Sequence, residues 1–220
     1  MATSNKEIVK LYSFCHSSCS FRVRIALAYK GISYEYIAIN LSQGEQFSDD
    51  FKKINAFSTV PVLVDNGFIV SDSLAILEYL EEKYPEPSLF PADSKKRALV
   101  RQVVNNIVSS IQPLQNLNVL KKIEALAGSD ERLKWAQYFI ENGFIALEAL
   151  LTTEAGKCCF GDKFSMADAV LIPQVYNARR FKVDMEKFPL LKRIAGFIEE
   201  LPFVQAAKPE KQPDFVPLRP

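Results

Sequence analysis

The first ninety residues alternate between two hydrophobic periods. From Ile8 to Phe14, β-forming residues interleave with polar ones, which predicts a strand. Cys19–Lys30 carries Phe21, Val23, Ile25, Ala26, Leu27 and Tyr29, with Arg22 and Arg24 as its charges. A segment apolar on most sides predicts a helix buried on more than one side. Ser17 and Ser18 stand before it as N-cap candidates, and Gly31 follows at the position where a helix ends left-handed. Tyr34 to Asn40 predicts a second strand, completing a βαβ unit, and a polar stretch then leads to a short helix over Asp49–Ile54. Val62–Val64 and Phe68–Val70 flank Asn66-Gly67, a strong hairpin signal because both turn residues tolerate positive φ. Ser71, Asp72 and Ser73 cap a predicted helix running to Tyr84, and Pro85, Pro87 and Pro91 read as a linker.

Beyond the linker only helical periodicity remains. Val100, Val104, Ile107 and Ile111 recur at helical spacing, as do Ala136, Ile140, Leu147 and Leu151, and later Leu191, Ile194, Ile198 and Leu201. Ser165 with Asp168 forms a capping-box pattern before another helix, so Asp168 is expected to be structural, and its loss to cost about 1–2 kcal/mol. The tail from Lys208 to Pro220, rich in Pro and charge, is expected to lie extended on the surface. The predicted domains are residues 1–87 and 92–220.

Composition narrows the class of function. In 220 residues, 48% are hydrophobic and 24% charged, enough for a sizeable core. A net charge of +1 gives no bulk attraction to nucleic acid or an anionic membrane. Apolar runs such as Ile25–Tyr29 fall far short of the roughly 20 residues that span a bilayer. The polar first ten residues do not resemble a targeting segment, so a cytoplasmic protein is expected. The four cysteines (15, 19, 158 and 159) are too few for a disulfide framework. Cys15, His16 and Cys19 lack a fourth ligand at metal spacing, and no metal is expected. Three thiols read as buried or reduced. A cysteine in the first turn of a helix generally has a lowered pKa, so Cys19 is also a candidate for a mixed disulfide; the C-x-x-x-C spacing from Cys15 disfavours dithiol exchange.

The element order βαβ, helix, hairpin, helix matches a thioredoxin-like domain, and an all-helical domain follows. Within that order, Ser17-Ser18-Cys19-Ser20-Phe21-Arg22-Val23-Arg24-Ile25-Ala26-Leu27 resembles the N-terminal signature of zeta-class glutathione transferases. Val60-Pro61 before a strand and Asp72-Ser73 opening a helix match the superfamily's glutathione-binding elements. Ile111–Leu117 and Ala178–Asp184 resemble zeta-class segments of the helical domain. The resemblance spans nearly the whole chain. It implies the glutathione transferase architecture and a homodimer that uses glutathione to isomerise maleylacetoacetate to fumarylacetoacetate in tyrosine and phenylalanine breakdown.

Each motif has a plain reading beside the implied one. Ser17, Ser18 and Cys19 are ordinary first-turn residues, but a helix N-terminus with a nearby hydroxyl also stabilises a thiolate. The resemblance implies that Ser17 points at the glutathione sulfur, with Ser18 or Cys19 capping the helix or orienting substrate. Val60-Pro61 is a plausible strand start; the resemblance implies a cis bond, with Val60 offering backbone groups to the cysteinyl part of glutathione. Asp72 and Ser73 are helix caps; the resemblance implies that Ser73 holds the γ-glutamyl carboxylate and Asp72 its ammonium, assisted by the partner subunit. Gln46 is the matching candidate for the glycyl end. Gln112, Asn116, Leu117 and Asn118 would otherwise be surface residues, and the resemblance places them over the site, where they are implied to bind glutathione. Arg180, otherwise a solvated charge, is implied to bind a carboxylate of a diacid substrate, which a guanidinium does in bidentate fashion.

Two positions depart from the family pattern: His16, where Arg is common, and Phe21, where Trp or His is frequent. A neutral imidazole would leave less positive charge at the site mouth. Two other classes of function remain open from sequence: a general conjugating or peroxide-reducing transferase, and a glutathione-binding protein without catalysis.

Overall fold

The structure is a computed structural model that describes residues 8–217. It divides into two compact units, one of residues up to Pro87 together with those from Pro202 onward, the other Ser88–Leu201.

The first unit holds a four-stranded sheet in the order β2-β1-β3-β4, from β1 (Val9–Ser13), β2 (Tyr34–Ala38), β3 (Val62–Asp65) and β4 (Phe68–Ser71). β1 and β2 run parallel, joined through α1 (Ser18–Tyr29), while β1–β3 and β3–β4 are antiparallel. The hairpin turn has φ 50° at Asn66 and φ 80° at Gly67, the left-handed pair that the Asn-Gly signal predicts. β2 stops two residues before the expected Asn40. The Asn40 Oδ1 accepts the N–H groups of Ser42 and Gln43 at 3.0 and 3.3 Å, so its side chain builds a turn in competition with the ladder. α2 (Asp49–Ile54) packs Phe51 with Val60 and Val62, and Tyr12, Phe14 and Ile54 close over this cluster. α3 (Ser73–Lys83) follows β4.

α1 is buried nearly all round, its two arginines included. Its last turn is tied by Lys30, whose Nζ donates to Glu81 Oε2 (2.8 Å), Tyr84 O (2.6 Å) and Pro87 O (3.0 Å).

The second unit contains α4 (Ser94–Asn105), α5 (Leu117–Ala127), α6 (Ser129–Leu151), α7 (Met166–Arg180) and α8 (Pro189–Ile198). α7 is the central helix, buried from Met166 through most of its length. The stripe through Ile107 and Ile111 does not continue as a regular α-helix. Asn106–Ile111 widens into a π turn and Gln112–Gln115 tightens into a 3₁₀ turn, beside Pro113, which has no N–H to continue the ladder. Gly143 on α6 makes room for this irregular segment: a Cβ there would lie 2.3 Å from Ile111 Cδ1. Asp168 is fully buried and accepts from Ser165 N, Ser165 Oγ and Cys159 N at 2.8, 2.7 and 2.7 Å.

The expectation of a helical domain over 92–220 is corrected at its end, as is that of an extended surface tail over residues 208–217, while 218–220 lie outside the described residues. From Pro202 the chain returns to the first unit as α9 (Pro202–Ala207) and a short 3₁₀ turn, with Pro209 and Gln212 buried. The cause is a polar anchor that composition hides. Arg24 on α1 donates through Nε to Ala207 O at 3.0 Å, and Phe203 packs on Tyr29 with ring centroids 5.2 Å apart. Among the described residues no helix is long and apolar enough to cross a membrane.

Candidate functional site

Two helix N-termini in the first unit carry the predicted glutathione residues. Ser17 is the N-cap of α1, with extended backbone, and its Oγ accepts from Ser20 N at 3.2 Å. Ser18 begins the helix and is buried, while Cys19 is half-buried. At α3 the N-cap is Asp72, held at φ 76°, a left-handed conformation costly for a residue with a Cβ. Its Oδ1 accepts from Leu74 N (2.8 Å) and Ala75 N (3.2 Å), leaving Oδ2 without a hydrogen bond among the described residues. Ser73, next in the chain, is buried.

A residue that sequence reading treated only as a helix charge joins the two ends. The Arg22 Nη1 donates to Ser73 Oγ at 3.0 Å and lies 3.8 Å from Cys19 Sγ. Arg22 is 1% exposed, and its Nε and Nη2 have no hydrogen-bond partner among the described residues. A buried guanidinium with free donors makes this corner of the unit attractive to an anion. The available sequence signal was spacing: three residues after Cys19 on a helix puts Arg22 on the same face.

Val60–Pro61 is a cis bond, as the resemblance implied, and Val60 is buried just before β3. Among the described residues its backbone N–H and C=O make no hydrogen bond, so both are available to an extended ligand. Gln46 is buried in the 3₁₀ turn Glu45–Phe47, and its Oε1 is unpartnered among the described residues.

The remaining candidates lie in the second unit. Gln112 begins the 3₁₀ turn, and Asn116 N-caps α5 by accepting from Asn118 N at 3.1 Å. Leu117 and Asn118 are the first residues of α5, half-buried and exposed. The segment is fastened by Trp135 Nε1 on Leu114 O (2.9 Å) and by the buried Gln115–Gln174 bond (3.0 Å). Arg180 is exposed at the end of α7, and no carboxylate pairs with it among the described residues, whereas its neighbour Arg179 pairs with Glu199 at 2.5 Å.

The thiols divide as their burial dictates. Burial, reinforced by Asp214, pushes the Cys15 thiol up to about 11, and burial pushes Cys158 up to about 12 and Cys159 well above its ordinary value. These three are protonated, unreactive groups at neutral pH. His16 is also buried, with its Nε2 bonded to Val216 O at 2.7 Å, so its ring is committed to the chain's own tail.

Comparison with known proteins places this geometry. Residues 7–82 match the family model for the glutathione S-transferase N-terminal domain. The chain is 53% identical over 211 residues to a zeta-class glutathione S-transferase of Euphorbia esula, covering 96% of this chain and 94% of that protein. The chain belongs to the zeta class of glutathione transferases. A maleylacetoacetate isomerase of Mus musculus is 50% identical over 206 residues, covering 93% of this chain and 94% of the relative. The crystal structure of maleylacetoacetate isomerase from Anaeromyxobacter dehalogenans with glutathione bound in its active site superposes with a TM-score of 0.87. It is 42% identical and covers 94% of this chain and 97% of that one. As a zeta-class transferase this protein is an enzyme, and glutathione is its cofactor.

Proposed function

We propose that this zeta-class transferase isomerises maleylacetoacetate to fumarylacetoacetate in tyrosine and phenylalanine breakdown, acting as a cytoplasmic homodimer. The observation that carries this reading is the pair of helix N-termini, at Ser17 and Ser73, bridged by the buried Arg22 guanidinium. An anionic tripeptide thiol fits what these residues leave open, the Val60 backbone groups and Asp72 Oδ2, beside the buried positive charge of Arg22.

In this reading Ser17 directs its hydroxyl and the α1 N-terminus at the sulfur, favouring the thiolate, while Ser18 and Cys19 orient the groups around it. Val60 holds the cysteinyl backbone. Ser73 binds the γ-glutamyl carboxylate, Asp72 pairs with the ammonium from its free oxygen, and Gln46 takes the glycyl end. Gln112, Asn116, Leu117 and Asn118 are further glutathione contacts, and Arg180 receives a carboxylate of the diacid. Bound glutathione supplies a nucleophilic thiolate that adds reversibly to the cis double bond and leaves after rotation. The chain's own task is to hold that sulfur ionised and the substrate carboxylate fixed while rotation occurs.

The test compares turnover of maleylacetoacetate with turnover of a halogenated aromatic electrophile and of a peroxide. Isomerisation well above both supports the proposal. Preference for the aromatic or the peroxide would make the protein a general transferase, and no turnover of any would leave a glutathione binder.

A further inference from the structure

The loop that delivers Ser17 is fastened on both sides, and one of the fasteners comes from the far end of the chain. Ser13 O accepts from Ile39 N at 2.8 Å, and Phe14 O accepts from Ser17 N at 3.0 Å. The peptide groups on either side of Cys15 are held by side chains. The Cys15 N–H donates to Asp214 Oδ2 at 3.0 Å, and the Cys15 carbonyl accepts from Arg24 Nη2 at 3.0 Å. Arg24 also reaches Ser13 Oγ and Phe14 O, both at 3.3 Å. Asp214 is anchored in turn by the Tyr36 hydroxyl at 2.7 Å on Oδ1, and its carbonyl accepts from Cys15 Sγ at 3.4 Å. Two residues later, Val216 O takes the His16 ring bond, and Phe215 lies 5.4 Å from that ring. The buried cation Arg24 and the carboxylate of Asp214 thus hold the two peptide groups that flank Cys15, two residues before the N-cap.

We propose that the C-terminal segment Asp214–Val216 is a strap that aims Ser17 and the α1 N-terminus at the glutathione sulfur, with Asp214 as its positioning residue. The inference deepens the functional proposal above and rests on it for the identity of the sulfur. Asp214 touches neither cofactor nor substrate; it acts through Cys15 and His16. An oriented donor loses its effect when its backbone drifts, and a misplacement of about 1 Å can cost about 100-fold in rate. Placing the clamp on the terminal segment also explains why a Pro-rich, charged tail is partly buried instead of solvated. It gives His16 a use in the strap rather than at the site mouth.

The test measures ionisation of bound glutathione directly, from the ultraviolet absorbance of its thiolate against pH, in the full-length chain. Asp214→Ala is expected to raise the titration midpoint by roughly one pH unit, a tenfold loss of preference for the thiolate. Asp214→Asn, which has a single acceptor oxygen for two donors, is expected to raise it by less, and it keeps the test open if the alanine variant does not fold. Asp168→Ala, which weakens the helical unit without touching the strap, serves as the stability control and is expected to leave the midpoint where it is. If Asp214→Ala and Asp214→Asn lower the melting temperature while the midpoint stays at the wild-type value, the strap is only a buttress and the proposal is wrong. The readout needs glutathione binding but no isomerisation, so failure of the substrate assignment would show separately, as a normal thiolate titration without turnover.

Discussion

Replacing Asp168 with Ala tests how the helical unit is held together. The carboxylate accepts three hydrogen bonds at 2.7–2.8 Å and is fully buried. Capping alone would cost about 1–2 kcal/mol. Alanine would also leave the Cys159 backbone N–H without an acceptor in the interior, at about 1–3 kcal/mol. Part of this is offset, because burial disfavours the ionised carboxylate and pushes its pKa up, against the pull of the bonds from Cys159 and Ser165. A net loss of roughly 3 kcal/mol lowers the melting temperature by about 6–12 °C in a chain of this size. The raised pKa also fixes a sign. The folded chain binds the Asp168 proton more tightly than the unfolded chain, so this group's contribution falls as pH rises from about 4 through its folded value. The assay is thermal unfolding by circular dichroism across pH, with turnover measured far below the transition. A lower melting temperature, a lost acid-range slope and near-normal turnover are expected. An unchanged melting temperature with lost turnover would refute the structural role.

Three further outcomes follow from the same structure. Ser17→Ala should fold normally and lose about 10²–10³ in rate, since it removes one preorganised donor from the sulfur; normal turnover would overturn the Ser17 assignment. Arg180→Met should raise KM for the diacid far more than KM for glutathione, and an equal rise in both would remove Arg180 from the substrate site. Lys30→Met removes the buried cation 2.8 Å from Glu81 and should cost about 3–5 kcal/mol in denaturant unfolding, whereas an effect below about 1 kcal/mol would show the pair to be dispensable.

Local signals carried most of the first unit into view. Asn66-Gly67, Gly31 and the serines at 17 and 18 each prescribe backbone geometry within a few residues, and the strands and caps lie where those residues require. The π and 3₁₀ turns over residues 106–115 were not legible, because Val100, Val104, Ile107 and Ile111 keep a helical stripe while the irregularity depends on Pro113 and on Gly143 of another helix. The tail misled by composition. Its anchors, Asp214 on Cys15 and Val216 on His16, join residues 199 and 200 positions apart, beyond any periodicity. At the candidate site the caps were visible, but the bridging role of Arg22 was not, since a helical pattern does not tell a solvated arginine from a buried one. The near absence of a polar face on that helix was the available hint.

Counting thiols during turnover tests whether glutathione is regenerated in each cycle. The enzyme is given excess maleylacetoacetate with a small, known amount of glutathione, and trans product and free thiol are followed together. Regeneration in each cycle gives many equivalents of fumarylacetoacetate per glutathione, with free thiol unchanged at the end. Thiol lost in step with substrate, with a stable adduct accumulating, would contradict it.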